Sequence, residues 1–296
     1  MKVRWLLVAA ILAAGPWAQA YEVLFEAESP YHHIRVTEEE GFRYLSFDET
    51  RGTQSAMKLS DPTFLYYTYT RLAFAGLAFV GEPKDALFVG LGGASMPKFF
   101  RRHYPEANMD IAEIDPVIVE VAKKRFEFAE DPRTRVYVKD GRVFLTKIDK
   151  QYDLIVLDAY NTSSIPFHLT TKEFMEEVRR RLKPTGVVVA NIWSPDLNQY
   201  FEAEIKTMQV TFPELYIFPG LSSGNYIFVA TNQPGQIQRY VLVERAKEIM
   251  REKKFHFDLA DLVKSTYQYA TKRPCRAEVL TDNRAPVETM RSQKAM

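Results

Sequence analysis

Four short apolar runs end in residues that can hold and transform a small molecule. Residues 85–89 run into Gly90, Gly92 and Gly93, and residues 109–113 end on Glu113 with Asp115 just beyond. Residues 134–138 run into Asp140 and Gly141, and residues 152–157 into Asp158. Glycines without a Cβ let the backbone turn sharply and approach a ligand closely. A carboxylate about 20 residues beyond such a turn can accept both hydroxyls of a ribose. Asp140 can accept an adenine amino proton, and Asp158 stands beside the centre of the crevice. Each acid alone reads as a solvated turn or a helix cap; four at successive strand ends point to one site. The glycine loop has Ser95 where a dinucleotide-binding pattern has its third glycine. Adenosine without a pyrophosphate fits better, and S-adenosylmethionine or a relative is such a ligand.

The elements that must position these residues follow from the hydrophobic pattern. Residues 21–60 read as short strands, with a hairpin alternation over 31–37 and 42–47 about Gly41. Asp61-Pro62 opens an aromatic-rich segment, 64–79, that reads as a buried helix with Asp61 as its cap. From residue 83, strands at 85–89, 109–113, 134–138, 152–157 and 187–192 alternate with helices through 104, over 116–128 and over 171–182. A helix over 198–211, strands at 215–218 and 226–230, and a helix over 236–254 follow. Short apolar strands alternating with helices of this length predict a doubly wound α/β domain with a mostly parallel sheet.

Composition excludes other classes. The 296 residues are 46% hydrophobic and carry 39 Lys+Arg against 38 Asp+Glu, an ordinary globular balance with no electrostatic case for nucleic acid as partner. The single cysteine, Cys275, rules out an intramolecular disulfide and a multi-cysteine zinc site. The five histidines, His32, His33, His103, His168 and His256, have no metal-ligand spacing, so no metal is expected. Cys275, His103 and His256 read as structural or surface residues.

Residues 1–20 are different. Lys2 and Arg4 precede an apolar run over 5–14, a Gly15-Pro16 break and Ala18-Gln19-Ala20, the pattern of a secretory leader cut after Ala20. The run is shorter than the ~20 residues a bilayer core needs. Three units are expected: a signal peptide (1–20), a β-hairpin domain with its linking helix (21–82) and an α/β domain (83–296). The mature chain would be exported, periplasmic or secreted, and without a membrane segment; it is cytoplasmic if the leader is misread.

Residues 83–230 resemble the spermidine synthase (polyamine aminopropyltransferase) family. The resemblance lies in Leu87–Ser95 as LFVGLGGAS, Ala112–Val117 as AEIDPV, Lys139–Arg142 as KDGR and Tyr152–Asp158 as YDLIVLD, then in Ile165-Pro166, Leu169–Phe174 and Ser223-Gly224. Upstream, Ser29–Val36 and Gln54-Ser55 resemble the family's N-terminal hairpin domain. Leu280–Val287, LTDNRAPV, resembles a tail found in spermidine synthase-like proteins. The resemblance implies a Rossmann-like fold of the S-adenosylmethionine-dependent methyltransferase type with a small N-terminal β-hairpin domain. It also implies transfer of an aminopropyl group from decarboxylated S-adenosylmethionine, a co-substrate rather than a prosthetic group, to a small amine such as putrescine. Asp158 matches the catalytic acid. By the same resemblance Glu113 holds the ribose, Asp140 and Gly141 the adenine, and Gln54 the methylthio side. Tyr31, His32, Tyr160 and Asn161 fall on the substrate side; Tyr31, Tyr66 and Tyr160 are candidates for cation–π contact with the sulfonium. A homo-oligomer such as a dimer is also implied.

Four positions depart from the family pattern. Gly93 and Asn161 stand where the family carries acids, His32 replaces a glutamine, and Leu221 falls near a tyrosine that closes the amine site. Two lost charges weaken a site for a polycation, and the nucleotide half is kept better than the polyamine half. Decarboxylated S-adenosylmethionine is made in the cytoplasm, which sits uneasily with an export leader. Two alternatives therefore stand beside aminopropyl transfer: a methyltransferase using intact S-adenosylmethionine, and an exported non-catalytic protein that binds a nucleoside or polyamine.

Overall fold

Alternating residues at the start of the chain build a small sheet with one buried face. A computed structural model describes residues 21–47, 52–159, 166–220 and 224–284; the expected leader, Tyr160, Asn161 and Leu221 lie outside them. Strands β1 (Glu22–Glu28), β2 (His33–Glu39), β3 (Phe42–Phe47) and β4 (Thr53–Lys58) pair antiparallel in chain order. Ile34, Val36, Leu45, Phe47 and Met57 are buried and join the main core, while His33 and Arg35 alternate with them and engage Glu26.

The helix expected to open at Asp61 begins later. Asp61 Oδ1 accepts from the Thr63 amide at 3.2 Å and hydroxyl at 2.7 Å, which closes a turn instead. Helix α1 (Thr68–Ala73), a 3-10 turn (Phe74–Gly76) and α2 (Leu77–Val80) follow. The aromatic run before Thr68 packs its rings sideways: Tyr66 lies edge-on to Phe42 with centroids 5.0 Å apart. Ring packing on the hairpin sheet thus takes residues that hydrophobic density alone assigns to a helix.

Eight strands form the second sheet. They are β5 (Asp85–Val89), β6 (Asn108–Glu113), β7 (Thr134–Val138), β8 (Tyr152–Leu157), β9 (Leu182–Trp193), β10 (Glu214–Pro219), β11 (Asn225–Thr231) and β12 (Gln268–Tyr269). Their order is β12-β10-β11-β9-β8-β5-β6-β7; β7, β6, β5, β8 and β9 are parallel, and β11, β10 and β12 add antiparallel at the far edge. β9 begins at Leu182 and runs through the Lys183–Gly186 segment that reads as a helix stop, because Tyr152 pairs with Leu182 across a register shift.

Both faces are covered, as a mostly parallel sheet requires. Ala86 and Phe88 of β5 enter a core with α1, α2, α3 (Ser95–His103), α4 (Pro116–Arg125), α8 (Arg239–Lys253) and α9 (Leu259–Thr266). Leu87 and Val89 point the other way, into a core with α5 (Gly141–Lys147), α6 (Lys172–Arg180) and α7 (Phe201–Thr211). Phe88, Phe99, Phe100, Phe174 and Phe228 are almost fully buried, and at roughly 150 Å² or more each such rings are large contributors to this burial. The connections after β5 and β8 diverge to opposite sides of the sheet, which opens a crevice at their carboxyl ends.

Candidate functional site

Gly90 is where β5 and β8 meet. Its φ is +98°, and a Cβ there would stand 2.3 Å from the Asp158 carbonyl oxygen. Only glycine fits that approach, and the Asp158 amide donates to the Val89 carbonyl at 2.9 Å. Gly141 is held as tightly, since a Cβ would lie 2.3 Å from a Val89 methyl. The loop 90–93 then meets the small sheet: the Gly93 amide donates to Ser55 Oγ at 2.9 Å. A Cβ at Gly93 would stand 2.8 Å from Ser55 Cβ and 3.0 Å from the Phe126 ring, and one at Gly92, with φ +52°, 2.9 Å from Ser55 Oγ. The carboxylate absent at Gly93 therefore has no room here.

Each of the four acids has a defined environment. Glu113, 8% exposed, accepts the Leu91 amide on Oε2 at 2.8 Å and the Asp115 amide on Oε1 at 2.9 Å. It thereby ties the glycine loop to the end of β6. Burial pushes its carboxyl up, and the backbone N–H groups pull it back. Asp115 is fully buried, with Oδ1 capping α4 through the Val117 amide at 2.8 Å and Oδ2 accepting Ser29 Oγ at 2.5 Å. It anchors the small sheet to the start of α4. Asp140 caps α5 through the Val143 amide at 2.9 Å, and its other oxygen lies 2.8 Å from His168 Nε2. That imidazole contact holds the Asp140 carboxyl below its ordinary value, against burial.

Asp158 is the acid with the most altered chemistry. Burial raises its pKa to about 6, and among the described residues Asn191 opposes it, its Nδ2 donating to Oδ1 at 2.8 Å. Asn191 is itself held by Asn225, whose Nδ2 donates to Asn191 Oδ1 at 3.0 Å. That second bond fixes which end of the Asn191 amide faces the acid. Such a carboxylate is about 90% ionised at pH 7 and still basic enough to take a proton.

The substrate-side candidates divide. His32 stacks on Phe47 with centroids 4.0 Å apart, and its amide and that of Tyr31 both donate to Ser29 Oγ. The turn carrying Tyr31 and His32 is thus fixed above Asp115, with the Tyr31 ring exposed. Gln54 lies on β4 next to Ser55, and it is Ser55 that meets the glycine loop. Tyr66 packs edge-on against Phe42 and Tyr44. Three residues belong to the site that the sequence reading did not assign to it. Tyr69 is raised first by burial and then by the charge of Asp158. Asn191 was marked only by being an amide within an apolar strand, and His168 sits on a 3-10 turn (Phe167–Leu169).

Comparison with known proteins agrees with this geometry. The spermine/spermidine synthase domain model matches residues 68–240. A polyamine aminopropyltransferase of Vibrio vulnificus is 37% identical over 223 residues, covering 72% of this chain and 74% of that protein. Among solved structures, a probable spermidine synthase from Corynebacterium glutamicum superposes with a TM-score of 0.70 at 22% identity, covering 87% of this chain and 96% of the other. Human methyltransferase-like protein 13, in complex with SAH, gives a TM-score of 0.59 at 28% identity, over 64% and 94% of the two chains.

Proposed function

The chain belongs to the spermine/spermidine synthase family, and from that premise we propose that it transfers an aminopropyl group from decarboxylated S-adenosylmethionine to a small amine such as putrescine. The observation that carries this reading is Asp158: a desolvated carboxylate with a pKa of about 6 at the centre of the crevice. Asp140 and Gly141 take the adenine, Glu113 offers the ribose its remaining lone pairs, and Gln54 lines the methylthio side. Tyr31 and His32 are assigned to the amine side, and the family resemblance assigns Tyr160 and Asn161, outside the described residues, to the same role.

In the proposed step the amine nitrogen attacks the methylene next to the sulfonium. The N–C bond forms as the C–S bond breaks, its electron pair stays on sulfur, and methylthioadenosine leaves. An alkylamine has a pKa near ~10.4 and arrives protonated, so a carboxylate must take its proton. Asp158 accepts that proton as the lone pair is freed, and Asn191 holds it in place meanwhile. Tyr69 is near enough to feel the charge of Asp158, and its ring is assigned a cation–π role toward the substrate's positive charge.

Replacing Asp158 by Asn removes the base with little change in shape. Spermidine formation followed by mass spectrometry is expected to fall at least ~100-fold with the melting temperature nearly unchanged. Retained turnover would remove Asp158 from its role. A second reading, binding of intact S-adenosylmethionine for methyl transfer, is favoured by one observation: Gly93, backed by Ser55 and Phe126, leaves no acid to oppose a carboxylate there. The likeness to human methyltransferase-like protein 13 supports it too. The same assay with intact S-adenosylmethionine separates the two.

Export with cleavage after Ala20 is part of the proposal, carried by the leader pattern of residues 1–20. Among the described residues no helix is long and apolar enough to cross a membrane.

A further inference from the structure

The chemistry above leaves the motif at residues 280–284 unused. This segment crosses α6 and α7: the Leu280 carbonyl accepts the Lys172 amide at 2.8 Å, and the Leu280 amide donates to Thr207 Oγ1 at 2.9 Å. Two residues on, the Asp282 carboxylate takes both prongs of Arg142, at 2.8 and 2.5 Å, while its amide donates to Glu173 Oε2 at 3.1 Å. The Arg142 nitrogen on Asp282 Oδ1 also donates to the His168 carbonyl at 3.1 Å. His168 in turn sets its Nε2 2.8 Å from Asp140. One continuous chain of contacts therefore runs from Asp282 through Arg142 and His168 to the carboxylate beside the nucleoside crevice.

A partly exposed ion pair adds little to global stability, and the Arg142 and Asp282 side chains are 26% and 39% exposed. A two-pronged arginine–carboxylate contact is stronger in fixing orientation than in stabilising a fold. What it fixes here is Asp140, whose two oxygens are then committed, one to capping α5 and one toward His168. A carboxylate held that way keeps acceptor lone pairs turned to an incoming amino group and repels a carbonyl oxygen in its place.

We propose that Asp282 and Arg142 are positioning residues that hold His168 and Asp140 to select a 6-aminopurine over a 6-oxopurine. This rests on the reading that Asp140 receives the purine. A site built to accept an amino group rejects the analogue lacking it, so the segment at 280–284 contributes to specificity and not only to packing.

Calorimetric titration of the full chain with methylthioadenosine and with methylthioinosine tests this. The parent is expected to prefer methylthioadenosine. Asp282→Asn is expected to lose about tenfold in affinity for methylthioadenosine, little for methylthioinosine, and so most of the preference. Arg142→Lys, which keeps the charge but not the fork, is expected to show the same selective loss, and Asp282→Glu to restore it. Glu278→Gln, which breaks the neighbouring exposed pair with Arg284, is expected to change neither affinity. An equal loss for both nucleosides, or an undiminished preference in Asp282→Asn and Arg142→Lys, would overturn the positioning role while leaving the nucleoside site standing. A parent chain that binds neither nucleoside would overturn both readings.

Discussion

Two opposed influences act on Asp158, and their balance sets the pH at which the proposed base works. Burial favours the protonated acid, and the Asn191 amide favours the carboxylate. With a pKa near 6, the rate is expected to fall as acid protonates Asp158 below that pH. Asn191→Leu removes the stabilising donor, so the acid limb of the pH–rate profile is expected to move upward by about one unit. A limb that stays in place would show that Asn191 does not act on Asp158. Asp158 was legible in the sequence because a lone acid closing an apolar strand is conspicuous. Asn191 and Asn225 were not, since Asn191 reaches Asp158 only because β8 lies beside β9, and Asn225 reaches Asn191 only because β11 lies beside β9.

Helix α7 carries another carboxylate with altered chemistry. Glu204 is 3% exposed, holds one bond from Asn198 Nδ2 at 3.0 Å, and is pushed by burial to about 8. Its folded value lies above its ordinary 4.5, so the folded state binds the proton more tightly and stability falls as pH rises from 4.5 toward 8. Glutamine keeps the acceptor for Asn198 and cannot ionise. Glu204→Gln is therefore expected to be more stable than the parent at pH 8, by on the order of a few kcal/mol, and about equal at pH 4. Denaturant midpoints at the two pH values check this; equal gains at both would mean that ionisation is not the cause. At this scale β5, β6, β7 and β8 were readable to within a residue, because they are short apolar runs closed by glycine or acid, while β9 starts five residues before its expected run of 187–192. The segment 61–79 was not, because dense aromatics carry no period when their rings pack on a neighbouring sheet. Helix α5 was missed as well: it is one short element whose cap, Asp140, had already been read as a ligand residue.

Across the molecule, the small sheet finishes the crevice that the large sheet opens. Ser29 reaches Asp115, Ser55 reaches Gly93, and an Arg43 nitrogen donates to the Arg125 carbonyl at 2.5 Å. These contacts span 86, 38 and 82 residues of sequence, and no local pattern announces them. They explain how Asp115 ties the small sheet to the start of α4. They also explain the missing acid at Gly93, whose place is filled by Ser55 and Phe126. The family resemblance found the large-sheet motifs because each sits within one strand–turn–helix unit. The bridge from Asp282 to Arg142 joins residues 140 apart and came only from the fold.

The crystal structure of the complex with methylthioadenosine tests the central claim most directly. The purine amino group is expected within hydrogen-bond distance of Asp140, the ribose hydroxyls at Glu113, and the sulfur on the side of the crevice that faces the Asp158 carboxylate. A nucleoside seated elsewhere, or one whose sulfur points away from Asp158, would contradict the account.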